Sequence, residues 1–160
     1  MRIVTIGVYG FDDGKFFDAV LNADVDILVD TRRRRAVRGP KYAFANSLRL
    51  QQRLAELSIA YTHRLDVAPS IETRQSQDQA DKAARIRRHD RNMLSESFKT
   101  RYVSECLAHL NASEFVASLG DRIQSVLILC VEGDPNACHR SLLANRLAED
   151  LDATVEHLMP

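Results

Sequence analysis

The chain has 160 residues, 45% apolar and 28% charged, with 22 basic and 22 acidic side chains. That is the size and composition of one ordinary soluble globular domain, here spanning residues 1–160. No apolar run approaches the roughly 18 residues that a membrane span needs, and three cysteines are too sparse and odd a set for a disulfide framework.

The opening MRIVTIGVYGFDDGKFF turns acidic too soon for a secretory signal, so a cytoplasmic address and no membrane partner are expected. Charge is zero in total but uneven along the chain. Residues 31–64 carry nine basic groups against one acid, whereas residues 102–160 carry three against nine. Eighteen of the 22 basic residues are arginine, whose planar fork suits carboxylate and phosphate.

RIVTIGV reads as a first strand with Gly7 and Gly10 at its far end. Asp12 or Asp13 caps a helix with Phe16, Phe17, Val20 and Leu21 at helical spacing. VDILVD is a buried strand ending at Asp30, followed by an arginine-rich loop through Gly39 and Pro40. Asn46 or Ser47 caps a second helix with Leu48, Leu50, Leu54 and Leu57 in register, and IAYTHRL is a third strand. The segment from about 70 to 110 is polar and helix-favouring, and predicts two inserted helices. SVLILCVE is continuous apolar, as a strand buried on both faces should be. A helix from about Pro135 to Leu151 follows, and TVEHLMP closes as a fifth strand.

Strands alternating with helices predict a three-layer α/β fold. Its mostly parallel sheet of about five strands carries helices on both faces, with the helical insertion between the third and fourth strands. Ligands of such sheets bind beyond the carboxyl ends of the strands. Asp30, Arg32, His63, Arg64, Glu132 and Arg140 all follow strand ends, so a parallel sheet sends them to one edge. In DPNACHR, Asp134 caps and Pro135 opens the last helix, leaving Cys138, His139 and Arg140 in or just past its first turn. Backbone N–H groups there attract anions and favour a thiolate at Cys138. The competing reading places Cys138, four residues before Leu142, in the core, with Cys130 and Cys106 as packing.

A metal reading would draw on Cys130, Cys138, His139 and either His63 or His157. Paired short cysteine spacing is missing, so neither a metal nor a cofactor is expected. A phosphatase-type loop is disfavoured because the residue six after Cys130 is Asn136. GVYGFDDG has the wrong glycine spacing for a dinucleotide fingerprint. Glu132 is a general base, a ligand acceptor or an arginine partner, and His63 a structural group or a proton shuttle. The arginine run suggests phosphate on a nucleotide or along nucleic acid, with Tyr42 and Phe44 available to stack on a base or to pack inside.

TIG near the start, VDTR after the second strand, AYTHRLD and LCVEGDPNACHRSLLA together resemble the domain of unknown function 488 family. RGPKYAFANSLRLQQRLAELSIAYTHRLDVAPS looks like one subgroup of it. The resemblance implies an α/β fold and a site built from Asp30, Arg32, Cys130, Glu132, Cys138, His139 and Arg140. It implies no agreed activity. Thr31 stands where the family usually has valine, and the arginine run replaces a short linker.

The leading expectation is a protein that binds a phosphate-bearing ligand, nucleotide or nucleic acid, at the carboxyl edge. Arg32, Arg140, His63 and Arg64 would hold the anion or assist. Asp30, Glu132, Cys138 and His139 would supply catalytic groups if the protein is a hydrolase or transferase. Two alternatives stand beside it: a non-catalytic nucleic-acid-binding module using residues 32–53, and a thiol-based regulator acting through Cys138.

Overall fold

The β-branched and apolar runs form five strands: β1 (Arg2–Gly7), β2 (Ile27–Asp30), β3 (Ala60–His63), β4 (Ser125–Cys130) and β5 (Thr154–Leu158). Six α-helices lie between them: α1 (Asp13–Asn22), α2 (Ser47–Glu56), α3 (Ile71–Ala84), α4 (Glu96–Tyr102), α5 (Ala112–Ala117) and α6 (His139–Leu151). In the computed structural model, which describes residues 1–160 apart from the side chain of His89, the strands form one parallel sheet ordered β3-β2-β4-β1-β5. No helix among the described residues is long and apolar enough to cross a membrane.

Every residue of β4 is buried because both faces of the sheet are covered. Leu127 and Leu129 turn towards Phe16, Phe17 and Val20 of α1 and Leu50 and Leu54 of α2. Val126 and Ile128 turn the other way, towards Phe98 and Tyr102 of α4, Phe115 of α5 and Leu143 and Leu147 of α6. Strand alternation therefore feeds two apolar cores, giving the expected three-layer α/β arrangement.

Local chemistry sets the helix starts. Asp12 Oδ1 accepts from the Lys15 N–H at 2.9 Å to begin α1, and Ser70 does the same for Thr73 at 3.0 Å to begin α3. Asn46 occupies the cap position of α2, but its side chain accepts instead from the Val37 N–H at 2.8 Å, tying down the arginine-rich loop. Leu48 is 80% exposed and does not join the apolar face with Leu50 and Leu54.

One predicted boundary is corrected. The last helix does not begin at Pro135: Pro135–Ala137 is a separate 3-10 turn, and Cys138 is extended (φ −139°, ψ 142°) before α6 starts at His139. The insertion over about 70–110 carries the two expected α-helices with two further turns. It comprises α3, a 3-10 turn at Arg88–Asp90, and α4 prolonged by a π turn over Val103–Leu107; α5, capped by Asn111, follows.

The strand order positions the site. From β2 the chain goes outward to β3, whereas from β4 it goes the opposite way to β5. Where connections from neighbouring strands diverge, a crevice opens at their carboxyl ends.

Candidate functional site

Thr31 follows β2 at this crevice. Its N–H and its hydroxyl both donate to the Leu129 carbonyl of β4, at 3.1 and 2.9 Å. A hydroxyl has one proton, so Thr31 Oγ1 can only accept from Nε2 of His139, 3.1 Å away. When the imidazole is neutral its proton is therefore on Nε2, and Nδ1 presents a lone pair. That nitrogen faces Cys130 Sγ at 3.7 Å and Cys138 Sγ at 3.9 Å. The Tyr102 ring packs edge-on against the imidazole, 5.3 Å between centroids.

The two thiols are not equivalent. Cys130 ends β4 and its thiol donates to Glu132 Oε2 at 3.4 Å. Burial pushes that thiol well above its ordinary pKa, and the neighbouring Cys138 and Glu132 push the same way. Cys138 sits at the N-terminal cap of α6, where the helix dipole favours an anion. Burial opposes its ionisation too. The neighbouring Cys130 thiol, His139 and Arg140 outweigh that and hold it well below the ordinary value.

Glu132 is buried beside them. Burial alone would raise its pKa, but Arg88 and Arg91 reverse the effect and hold the carboxyl at about 2. Its Oε1 accepts from Arg88 Nη2 at 2.8 Å and Arg91 Nη2 at 3.2 Å. Arg91 also binds Asp81 Oδ2 at 2.8 Å, and Gln77 donates to Asp81 Oδ1 at 2.7 Å. A continuous polar chain thus runs from α3 to the end of β4.

Arg32 and Arg140, the expected anion holders, face inward instead. Arg140 is 0% exposed. It donates to the Glu132 and Gly133 carbonyls and to Thr5 Oγ1, fastening the loop after β4 to β1. Arg32, 2% exposed, forks onto Asp30 at 2.8 and 2.7 Å and donates to the Ala45 carbonyl at 2.9 Å. Asp30 also accepts from the Tyr61 hydroxyl at 2.9 Å. These bonds commit most of both guanidinium groups to the protein's own acceptors.

His63 Nε2 lies 2.8 Å from the Arg32 carbonyl oxygen and supports the same loop. Arg64 is bound to Asp66 and Ser118 and lies over the Phe115 ring, 4.2 Å from its centroid. Phe44 is packed on Phe16 and Tyr42 on Tyr9, each with centroids 5.1 Å apart.

A cavity of about 360 Å³ lies above the thiols. Glu132, Cys138, His139 and Arg32 line it together with Cys130, whereas Asp30, Arg140, His63 and Arg64 do not. Its walls carry Arg33, Arg34 and Arg38 from the loop after β2, and Arg74 from α3. None of these four forms an ion pair among the described residues, but Arg33 donates to the Pro69 and Ala68 carbonyls at 2.8 and 3.3 Å, and Asp78 of α3 lines the same wall.

The wall from the insertion, with Arg74, Gln77, Arg88 and Arg91, was not expected from sequence. One signal was available: Thr73, Gln77 and Asp81 repeat at helical spacing and are buried. A helix that buries a polar stripe has to face a polar site.

No curated protein and no solved structure matches the chain. A family model described as Domain of unknown function DUF488 matches residues 13–147, most of the sequence, and the chain belongs to that family.

Proposed function

We propose that the protein binds a phosphate-bearing ligand in the cavity at the carboxyl edge of its sheet and acts on it as a hydrolase or group transferase. The observation that carries this reading is the set of three arginines, Arg34, Arg38 and Arg74, which form no ion pair among the described residues and line a cavity that also holds Cys138, His139 and the acid Asp78. Unpaired guanidinium groups on a partly closed wall favour a polyanionic guest. Glu132 and His139 supply proton-handling groups at the floor, and Cys138 stands beside them. Asp30, Arg32 and Arg140 act as positioning residues, because they shape the two loops that carry the floor and wall.

A strand of nucleic acid laid along residues 32–53 fits less well. Arg49 is paired with Asp13 at 2.6 Å, Arg53 with Glu56 at 2.5 Å, and Arg32 is buried. The basic segment is therefore not one continuous track. A compact ligand, a nucleotide or the end of a nucleic acid, suits the enclosed cavity better.

Calorimetry with orthophosphate, nucleoside mono-, di- and triphosphates and short oligonucleotides tests the reading. A nucleotide should bind, and the Arg34→Ala/Arg74→Ala variant should lose at least about tenfold in affinity. Absence of binding by every phosphate compound, or unchanged affinity in that variant, would remove the proposal. Affinity that grows with oligonucleotide length and falls steeply with salt would favour the nucleic-acid module instead.

A further inference from the structure

We infer that Cys130, Cys138 and His139 form a binding site for one zinc ion, with a fourth coordination position open to the cavity. This goes beyond the anion reading and stands independently of it.

The first argument is distance. Both sulfurs and Nδ1 lie within 4.8 Å of one another. Tetrahedral zinc, with Zn–S of about 2.3 Å and Zn–N of about 2.0 Å, requires S···N separations of about 3.5 Å. The observed S···N separations of 3.7 and 3.9 Å are only a few tenths longer, and the two sulfurs lie within 4.8 Å of each other, so both S···N edges need only a small contraction.

The second argument is direction. Because Thr31 gives its hydroxyl proton to Leu129, it accepts from Nε2–H and leaves the Nδ1 lone pair aimed at the sulfurs. An imidazole held through its far nitrogen by an acceptor that is itself anchored is the usual outer-shell support of a metal-binding histidine. Two thiolates and one imidazole are also the donors that a borderline d¹⁰ ion prefers, and they disfavour magnesium or calcium, which want oxygen.

The third argument is charge. Two thiolates neutralise a divalent ion, so the buried assembly carries no net charge. Of the nearby cations, Arg88 and Arg91 are matched by Glu132 and Asp81, and Arg140 forms no ion pair among the described residues, being bonded to the Glu132 and Gly133 carbonyls. On binding, any protons remaining on the two thiols leave to solvent, so affinity should rise with pH. All three ligands line the cavity, which gives a fourth ligand, water or substrate, access to the ion. Three protein ligands with an open position are the pattern of a catalytic rather than a structural zinc.

The test uses the full chain stripped with a chelator and titrated with Zn²⁺ against a chromogenic competitor, and separately with Co²⁺ followed by absorption. We expect one ion per chain and a thiolate-to-cobalt charge-transfer band. Cys130→Ser and Cys138→Ser should each lose that band and weaken zinc binding by at least about a hundredfold. Thr31→Val should weaken it by about ten- to a hundredfold while circular dichroism stays unchanged. Because valine matches threonine closely in size and shape, this variant keeps the test valid if the cysteine variants fail to fold. A wild-type protein without the charge-transfer band, or zinc affinity unaltered by both Cys138→Ser and Thr31→Val, would overturn the assignment. Arg34→Ala/Arg74→Ala should keep the full cobalt spectrum, so failure of anion binding and failure of the metal site are separable.

Discussion

Gly7 lies so close to Glu132 that a β-carbon on Gly7 would stand 1.9 Å from the Glu132 carbonyl oxygen. The same oxygen accepts from Arg140 Nη1. The end of β1 and the loop after β4 are thus packed backbone to backbone, with Arg140 closing the seam. Gly7→Ala has no flexible side chain to push aside and must move a main chain. It should cost about 3 kcal/mol, at the upper end for overpacking, as measured by urea unfolding. A loss under about 1 kcal/mol would show that this seam is soft.

Arg140→Met separates structure from binding. The substitution keeps the apolar stem but leaves the Glu132 and Gly133 carbonyls without their donor, at a cost of about 2–4 kcal/mol. Arg34→Ala/Arg74→Ala removes no internal bond and should change stability by no more than about 0.5 kcal/mol. The expected pattern is therefore a large drop in Tm for the first and lost anion affinity with intact Tm for the second. The reverse pattern would restore Arg140 to the role of ligand holder.

The far edge of the sheet carries a pH-sensitive clasp. Asp26 Oδ2 accepts from the Gln124 and Ser125 N–H groups, each at 2.8 Å, and from the Ser125 hydroxyl at 3.0 Å. Those backbone bonds hold its carboxyl below the ordinary value. A depressed folded-state pKa stabilises above the unfolded pKa and is lost as pH falls through the folded one. Asp26→Ala should destabilise the protein by about 1 kcal/mol at neutral pH, the group being exposed and screened. The gap from wild type should narrow below about pH 4. A gap that stays constant into acid would mean the carboxylate charge contributes nothing.

The sheet was legible because SVLILC and RIVTIG can bury both faces only as strands between two layers, and their apolar alternation says so directly. The parallel order then carried the strand ends to one edge, as the sequence implied. What charge pattern does not encode is direction. Arg32 and Arg140 occupy the expected places, but each finds an acceptor inside before it reaches solvent. The thiol–imidazole cluster was masked for another reason. Its ligands bridge a strand end and a helix start across seven intervening residues, so no short cysteine repeat marks them. The cap was misplaced because Asp134 satisfies a local 3-10 turn, and the extended Cys138 restarts the helix four residues later.

Asp81 fixes the insertion over the cavity. It accepts from Gln77 and Arg91, and Arg91 in turn reaches Glu132 and the Ala137 carbonyl. Both partners of the Asp81–Arg91 pair are largely buried, so removing the carboxylate leaves a buried guanidinium half compensated. Asp81→Ala should therefore loosen residues 71–91 by about 2–3 kcal/mol, within the range for a broken buried pair that keeps one acid. Hydrogen exchange should rise across α3 and the Arg88–Asp90 turn while β1 and β4, paired along their whole length in the sheet, keep their protection. Anion affinity should fall with it, because Arg74 would no longer be held on the wall. Unchanged exchange in α3, or an increase spread evenly over the sheet, would show that the polar stripe does not anchor the insertion.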